Sequence, residues 1–350
     1  MQLATPVTPA QLTQILLNVA VIRPVFIVGA PGIGKSALVE SFAEEVGLPC
    51  VSLLGSQLAP EDIMGVPQII EGKTRFCPPD MIAKDEPYCL FLDELNACSQ
   101  EVQKAFYSLI LDRRVGNYEL PEGSIIIGAG NRSQDNAIVK TMSSALINRM
   151  FFVELTVDVE NWLDWAYQAQ LDSSVLAYIQ TRPDHLWSQP PKTEEPFSTP
   201  RSWHMLSDAM QEFGKELTPT LLSILANGCL TPSHAMQFSA FCKNRDGEFT
   251  LKKIFDGERR FPAEPENRDV LYFLAQSFRA DLSRQLPSQK EMLDNKGKQY
   301  VHRSKALMRD LAQISLEMAQ IVVAKENGTT DLPDWYLIEI IRDLPRLVKV

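Results

Sequence analysis

Histidine and cysteine are sparse and scattered in this chain of 350 residues. Its four histidines (His185, His204, His234, His302) and six cysteines (Cys50, Cys77, Cys89, Cys98, Cys229, Cys242) form no Cys-x-x-Cys pair and lie far apart in sequence. That argues against a zinc site or a disulfide framework, and for free thiols in a reducing compartment. No apolar run reaches the ~18 residues of a membrane-spanning helix. The first residues lack a basic stretch ahead of their apolar segment, so no signal peptide is expected and the expected location is cytoplasmic. Internal repeats and low-complexity tracts are absent. Basic residues are also short: 34 Lys and Arg against 44 Asp and Glu give a net charge of -10. Residues 246–350 hold 17 of each sign, so residues 1–245 carry the whole excess of acid, 27 against 17. An acidic body is a poor surface for nucleic acid.

What is present is an ordinary globular composition, 45% hydrophobic and 22% charged, enough for two or three domains. Residues 1–155 alternate short apolar runs with helical patterns, the rhythm of an α/β fold. Strands are expected at 25–28, 50–54, 88–92, 125–129 and 151–155. All five are nearly continuous apolar runs, as in a parallel sheet covered on both faces. Helices are expected at 35–46 and at 99–113, the latter capped by Ser99 and burying Val102, Phe106, Leu109 and Ile110. Beyond 155 the pattern is helical: 159–181, 200–213, 217–228, 267–286 and 299–324, with a proline-rich loop at 183–199.

Three motifs carry chemistry. Gly29-Ala30-Pro31-Gly32-Ile33-Gly34-Lys35-Ser36, followed by Ala37, fits G-x-x-x-x-G-K-[ST] between a strand and a helix. Its glycines let backbone N–H groups close around phosphates, and the helix start favours negative charge. Lys35 would reach the β- and γ-phosphates, and Ser36 would ligate Mg²⁺. The second motif, Cys89-Leu90-Phe91-Leu92-Asp93-Glu94, is an apolar strand ending in two acids. Asp93 would hold Mg²⁺ and Glu94 would polarise the attacking water. The third is a strand from Ile125 that ends at Gly130-Asn131 and so places an amide at the carboxyl edge of the sheet, where ligands collect. A turn asparagine is the plain alternative. ATP with Mg²⁺ is the expected cofactor.

In this order and spacing the three motifs resemble those of an AAA+ ATPase. Leu58–Pro67 through Arg75–Pro79 is similar to the helix-2 insert of the MoxR-like branch, and Asp112–Leu120 to its hairpin before sensor 1. The resemblance covers about residues 12–215. It implies that Asn131 is sensor 1. It also implies that Arg149, in Ser144–Met150, is an arginine finger acting on the neighbouring subunit's ATP. Asn148 and Met150 stand where the family has Asp and Phe. Arg201, in Ser198-Thr199-Pro200-Arg201-Ser202, would be sensor 2. Arg113, Arg114 and Arg132 are further candidates for a subunit boundary, with solvated charge as the alternative.

The fold class that follows is α/β: a five-stranded parallel-sheet P-loop NTPase core at 1–156, an α-helical lid at 157–245 and an additional α-helical C-terminal block at 246–350. The resemblance implies a homo-oligomeric ring, typically a hexamer. It also implies a chaperone or remodelling role with a protein client or adaptor, often one bearing a von Willebrand factor A-like domain. An ATP-dependent nucleic-acid machine and a slow nucleotide switch are the alternatives. The acidic charge weighs against the first, and Glu94 with Asn131 against the second. The two hairpins are expected on one face, with Met64, Val66, Ile69, Ile70 and Tyr118 as contact residues. In the C-terminal block, the basic stretch from Lys290 to Arg309 reads as a solvated helix face. Trp335 and Tyr336 are expected to dock the last helix.

Overall fold

The computed structural model describes residues 5–135, 142–244, 249–323 and 332–343. The chain divides into two compact units, one of residues 1–170 with 187–204, the other of 171–186 with 205–350.

The first unit is built on a six-stranded, wholly parallel sheet. Its strands are β1 (Thr5–Val7), β2 (Val25–Gly29), β3 (Cys50–Leu54), β6 (Cys89–Asp93), β9 (Ile125–Asn131) and β10 (Phe151–Leu155). They lie in the order β1-β10-β2-β9-β6-β3. All five expected strands are present. The sixth, β1, joins the edge beside β10. Three residues with a proline carry too little pattern to read as a strand, and an edge position tolerates the missing N–H of Pro6.

Alternation along the strands feeds two cores. Phe26, Val28, Leu90, Leu92 and Ile126 face one side, where the helix Gln100–Asp112 packs Val102, Phe106, Leu109 and Ile110. Val25, Ile27, Cys89, Phe91, Ile125 and Ile127 face the other, with Leu12, Leu16, Val39 and Phe42 from the helical segments Pro9–Ala20 and Lys35–Glu45. Each such side chain contributes about 1.5–3 kcal/mol by leaving water. Ser99 caps Gln100–Asp112 as expected, accepting from the Val102 N–H.

Two hairpins leave the sheet. The short helix Glu61–Met64 leads into β4 (Val66–Ile70) and β5 (Lys73–Cys77), which pair antiparallel around Glu71-Gly72. Both turn residues have positive φ, 52° and 73°, the geometry of a tight two-residue hairpin. The smaller hairpin joins β7 (Arg114–Val115) to β8 (Tyr118–Glu119). A Cβ on Gly116 would lie 3.3 Å from Cβ of Phe76, so the hairpins are neighbours. Val66 and Ile69 are exposed at 63% and 82%, and Met64 and Phe76 are exposed too. Tyr118 departs from the expectation of a free contact residue. Its hydroxyl donates to the Lys84 carbonyl at 2.7 Å and accepts from the Lys84 N–H at 2.9 Å. The side chain of Ile70 lies outside the described residues.

The second unit is helical. Its helices include Ser173–Thr181, Pro219–Cys229, Pro232–Lys243, Arg268–Gln285, Asn295–Ile314, Leu316–Val323 and Asp334–Asp343. Two long expected helices are each broken in two. Gln170 takes a left-handed φ of 56° after Val159–Gln168, and Ser315 is extended after Asn295–Ile314. The expected stripe Val270, Leu271, Leu274, Phe278 and Leu282 is buried. Tyr336 is buried with its hydroxyl on Ser304, and the Trp335 indole donates to the Pro287 carbonyl. His185 and His234, far apart in sequence, stack with ring centroids 3.7 Å apart. Among the described residues, no helix is long and apolar enough to cross a membrane.

Candidate functional site

The register of the sheet brings the motifs together at its carboxyl edge. Gly29 at the end of β2 pairs with Asn131 at the end of β9, and Leu54 at the end of β3 pairs with Asp93 at the end of β6. The chain leaves β2 through Ala30-Pro31-Gly32-Ile33-Gly34 into the helix Lys35–Glu45. Gly32 and Gly34 have φ of 74° and 93°, which glycine adopts at little cost. Gly34 offers the helix start no side-chain cap, so the first N–H groups stay available to an anion.

Lys35 is buried, and its Nζ donates to the Gly29 carbonyl at 3.0 Å, the Ala30 carbonyl at 2.9 Å and Oδ1 of Asn131 at 2.9 Å. Burial pushes its pKa down to about 8; the charge of Asp93 opposes this, and Arg201 and Arg132 add to it. The Ser36 hydroxyl donates to Oδ2 of Asp93 at 2.6 Å. A hydroxyl and a carboxylate side by side are hard oxygen donors, the kind Mg²⁺ takes. The lysine and the free helix start suit phosphates, so the residues fit Mg²⁺ and a nucleotide.

Glu94 follows with φ 53°, and its carboxylate accepts from the Ser56 hydroxyl. Such a backbone is uncommon for a residue with a side chain and marks local strain. Asn96 is nearly buried and clamps the sensor strand: its Nδ2 donates to the Asn131 carbonyl at 2.8 Å, and its Oδ1 accepts from the Asn131 N–H at 3.2 Å. Gly130 makes room for this clamp, since a Cβ there would stand 2.2 Å from Oδ1 of Asn96.

Beside the loop opens a cavity of about 420 Å³. Gly32, Ile33, Gly34, Ser36 and Ala37 line one wall; Pro9, Ala10 and Thr13, Asp158, Asn161 and Trp165, and Arg201 and His204 are among the residues of the others. Trp165 meets His204 edge to face at 5.1 Å. Thr199 and Ser202 cap each other at the start of the helix Pro200–Phe213. That cap holds the Arg201 N–H on the Gly32 carbonyl at 3.1 Å.

Arg149 does not join this group. It is exposed, donates to the Ala145 carbonyl and lines a second cavity with Arg23 and Arg113. Arg132 is occupied within the chain: it forks onto Asp135 at 2.7 and 2.8 Å, reaches Glu154 at 3.2 Å and lies 5.6 Å from the ring centroid of Trp187. The Arg113 guanidinium donates to the Ser124 carbonyl. Sequence reasoning missed Ser56, Asn96, Thr199 and the walls of the cavity. The Asn96 signal was its place three residues after Asp93, where the chain turns back under the sensor strand.

Residues 24–150 match the family profile of the AAA domain, dynein-related subfamily. Midasin of Giardia intestinalis is 30% identical over 169 residues, which are 45% of this chain and 4% of midasin; the chain thus spans a small fraction of that relative's length. Among solved structures, the RuvB Holliday junction branch migration motor of Thermotoga maritima is 16% identical with a TM-score of 0.40, over 75% of this chain and 79% of that one. NtrX from Brucella abortus is 15% identical with a TM-score of 0.38, over 97% of this chain and 68% of that one. The match to the AAA domain and the parallel sheet that carries it give this chain the fold of a P-loop NTPase of the AAA+ kind, with a helical C-terminal region.

Proposed function

We propose that the chain binds Mg·ATP and hydrolyses it. The observation that carries this is the convergence of Lys35, Ser36, Asp93 and Asn131 at one sheet edge, joined by hydrogen bonds of 2.6–2.9 Å. Bound Mg²⁺ would neutralise phosphate charge as the γ-phosphoryl leaves. Gly29 to Ala37 hold the phosphates, and Lys35 turns its donors from carbonyls to them. Ser36 and Asp93 would hold the metal. Glu94 takes the attacking water as a hydrogen-bond acceptor, and Asn131 orients it. Arg201, held beside Gly32, adds positive charge from the cavity side. The cavity wall of Trp165, His204 and the helix Pro9–Ile15 would receive the base.

Arg149 serves a second copy. It precedes β10, whose last residue pairs with Gly29, so it lies about one strand length, on the order of 15 Å, from its own phosphate loop. An arginine so placed would complete a site in trans through a head-to-tail contact, which gives a ring when the rotation closes. On this reading the chain is a MoxR-type remodelling ATPase, cytoplasmic, with residues 1–156 as nucleotide domain, 157–245 as lid and 246–350 as extension. It assembles as a hexamer. Its client or adaptor is a protein, such as one bearing a von Willebrand factor A-like domain, met by the exposed face of the β4–β5 hairpin. Phosphate release from Mg·ATP by wild type and by Lys35→Ala tests the hydrolysis. Activity in the first and its loss in the second are expected; equal rates would refute the site.

A further inference from the structure

The amino edge of the sheet, where Arg149 stands, holds further residues that the reaction above does not use. A cavity of about 580 Å³ opens there, lined by three arginines, Arg23, Arg113 and Arg149, and by one carboxylate, Asp112. The excess is two positive charges, within residues 1–245, which carry ten more acids than bases. Arg113 is held on the Ser124 carbonyl. Arg23 and Arg149 are both exposed, and among the described residues neither has a carboxylate partner.

Their placement is symmetrical. Phe151 opens β10 and pairs with Val25, which opens β2. Arg149 and Arg23 each stand two residues ahead of those paired positions. The Phe151 N–H donates to the Pro24 carbonyl at 2.8 Å and locks the two approaches side by side. Around them the surface is apolar: Val21 and Ile22 are 60% and 70% exposed, and Ile147 and Phe151 are exposed as well. Guanidinium groups with no carboxylate partner inside an apolar rim suit an anion presented by another protein surface, because desolvation at such a rim strengthens charge pairing.

Resting on the trans reading of Arg149, we propose that Arg23 is a second arginine presented to the nucleotide phosphates of another copy, within a heterologous interface rimmed by Val21, Ile22, Ile147 and Phe151. The occupant is a second copy of this chain because the two sheet edges are complementary. The carboxyl edge carries Asp93 and Glu94 beside Lys35 and Arg201, so its net negative charge comes, in the proposed function, from the bound triphosphate; the amino edge carries arginines with no carboxylate partner among the described residues. Unlike edges that match in this way assemble head to tail.

The test uses four full-length variants: Arg23→Ala, Arg23→Lys, Arg149→Ala and Lys35→Ala. Lys35→Ala lacks a working phosphate loop but keeps both arginines. Rates are taken at chain concentrations where sedimentation shows complete assembly. Arg23→Ala is expected to lower kcat by at least about tenfold, less than the roughly 10³–10⁵ that a primary arginine finger contributes. Arg23→Lys is expected to fall between it and wild type, since lysine keeps the charge and loses the fork. Mixing Arg23→Ala with Lys35→Ala should restore hydrolysis, as should mixing Arg149→Ala with Lys35→Ala. If Arg149→Ala is rescued while Arg23→Ala turns over at the wild-type rate, the proposal for Arg23 falls and the trans reading of Arg149 stands. The same holds if Arg23→Ala is slow and is not rescued in assemblies shown to be mixed. If neither arginine variant is impaired, both readings fall.

Discussion

The Lys35 ammonium and the side-chain amide of Asn131 are joined by a 2.9 Å hydrogen bond across 96 positions of sequence. Two main-chain carbonyls complete the lysine's three donors. Its charge is therefore met by neutral dipoles in a buried place, an arrangement that a phosphate would replace with full opposite charge.

A pH dependence follows. Burial lowers the pKa of Lys35 to about 8, with Asp93 opposing. Phosphate raises it again, so binding takes up a proton wherever the free protein has lost one. ATP affinity should be insensitive to this group below pH 8 and should weaken by up to about tenfold per pH unit above it. Calorimetry at pH 8.5 in two buffers of different ionisation enthalpy should show net proton uptake by wild type and none by Lys35→Arg. Without nucleotide the sign for stability is the reverse of a paired lysine's. The unfolded chain holds more protons between pH 8 and the ordinary lysine value of 10.5, so this group's contribution rises through that window.

Asn96 positions rather than reacts. Asn96→Ala leaves both main-chain groups of Asn131 unpaired, at a cost of about 1–3 kcal/mol for a buried group. The expected result is a kcat lowered by roughly tenfold, as for misplacement of a reacting group, with nucleotide affinity little changed. Gly130→Ala should lower Tm by pressing on Asn96. The double variant should lose less than the two single losses combined, because the sites share one contact.

Gly32 is fixed twice over. Its φ of 74° disfavours any side chain, and a Cβ would stand 2.7 Å from Oγ1 of Thr199. Gly32→Ala should weaken ATP binding by at least about tenfold, through a loop displaced from its phosphate-binding form. Gly32→Ala with Thr199→Ser should recover little of the loss, since the two nearest atoms, Oγ1 and Cβ of residue 199 at 2.7 and 2.9 Å, both remain. Fluorescent-nucleotide titration reads both.

Removing residues 67–75 from the β4–β5 hairpin should leave basal hydrolysis largely intact and abolish stimulation by a protein partner. The hairpin has exposed Val66 and Ile69 and contributes no residue to the cavity beside Gly32 and Gly34. Hydrolysis rates with and without the partner, and a thermal melt of the deletion variant, decide it. Unfolding, or stimulation left untouched, would make the hairpin structural.

The sheet and the phosphate loop were legible because they are local in sequence. Continuous apolar runs such as Val25–Val28 and Phe151–Leu155 have few ways to be satisfied except as buried parallel strands. The G-x-x-x-x-G-K-[ST] spacing fixes its own geometry. Asn96, Ser56 and Thr199 were not legible, because their roles come from register between distant segments. Ser56 meets Glu94 through the Leu54–Asp93 pairing, and Thr199 meets Gly32 across 167 positions. Tyr118 misled for a related reason: an aromatic residue in a hairpin reads as exposed until Lys84 is seen beside it. The edge strand Thr5–Val7 is too short for any periodicity to show.

The central claim is that Glu94 drives hydrolysis at the site built by Lys35, Ser36 and Asp93. Glu94→Gln keeps the shape and the hydrogen bond to Ser56 but cannot take a proton. Single-turnover phosphate release by Glu94→Gln, beside equilibrium ATP binding on the same sample, tests it most directly. The account predicts near-wild-type affinity and a rate reduced by at least about a hundredfold, as when a general base is removed. Hydrolysis by Glu94→Gln at the wild-type rate would contradict it.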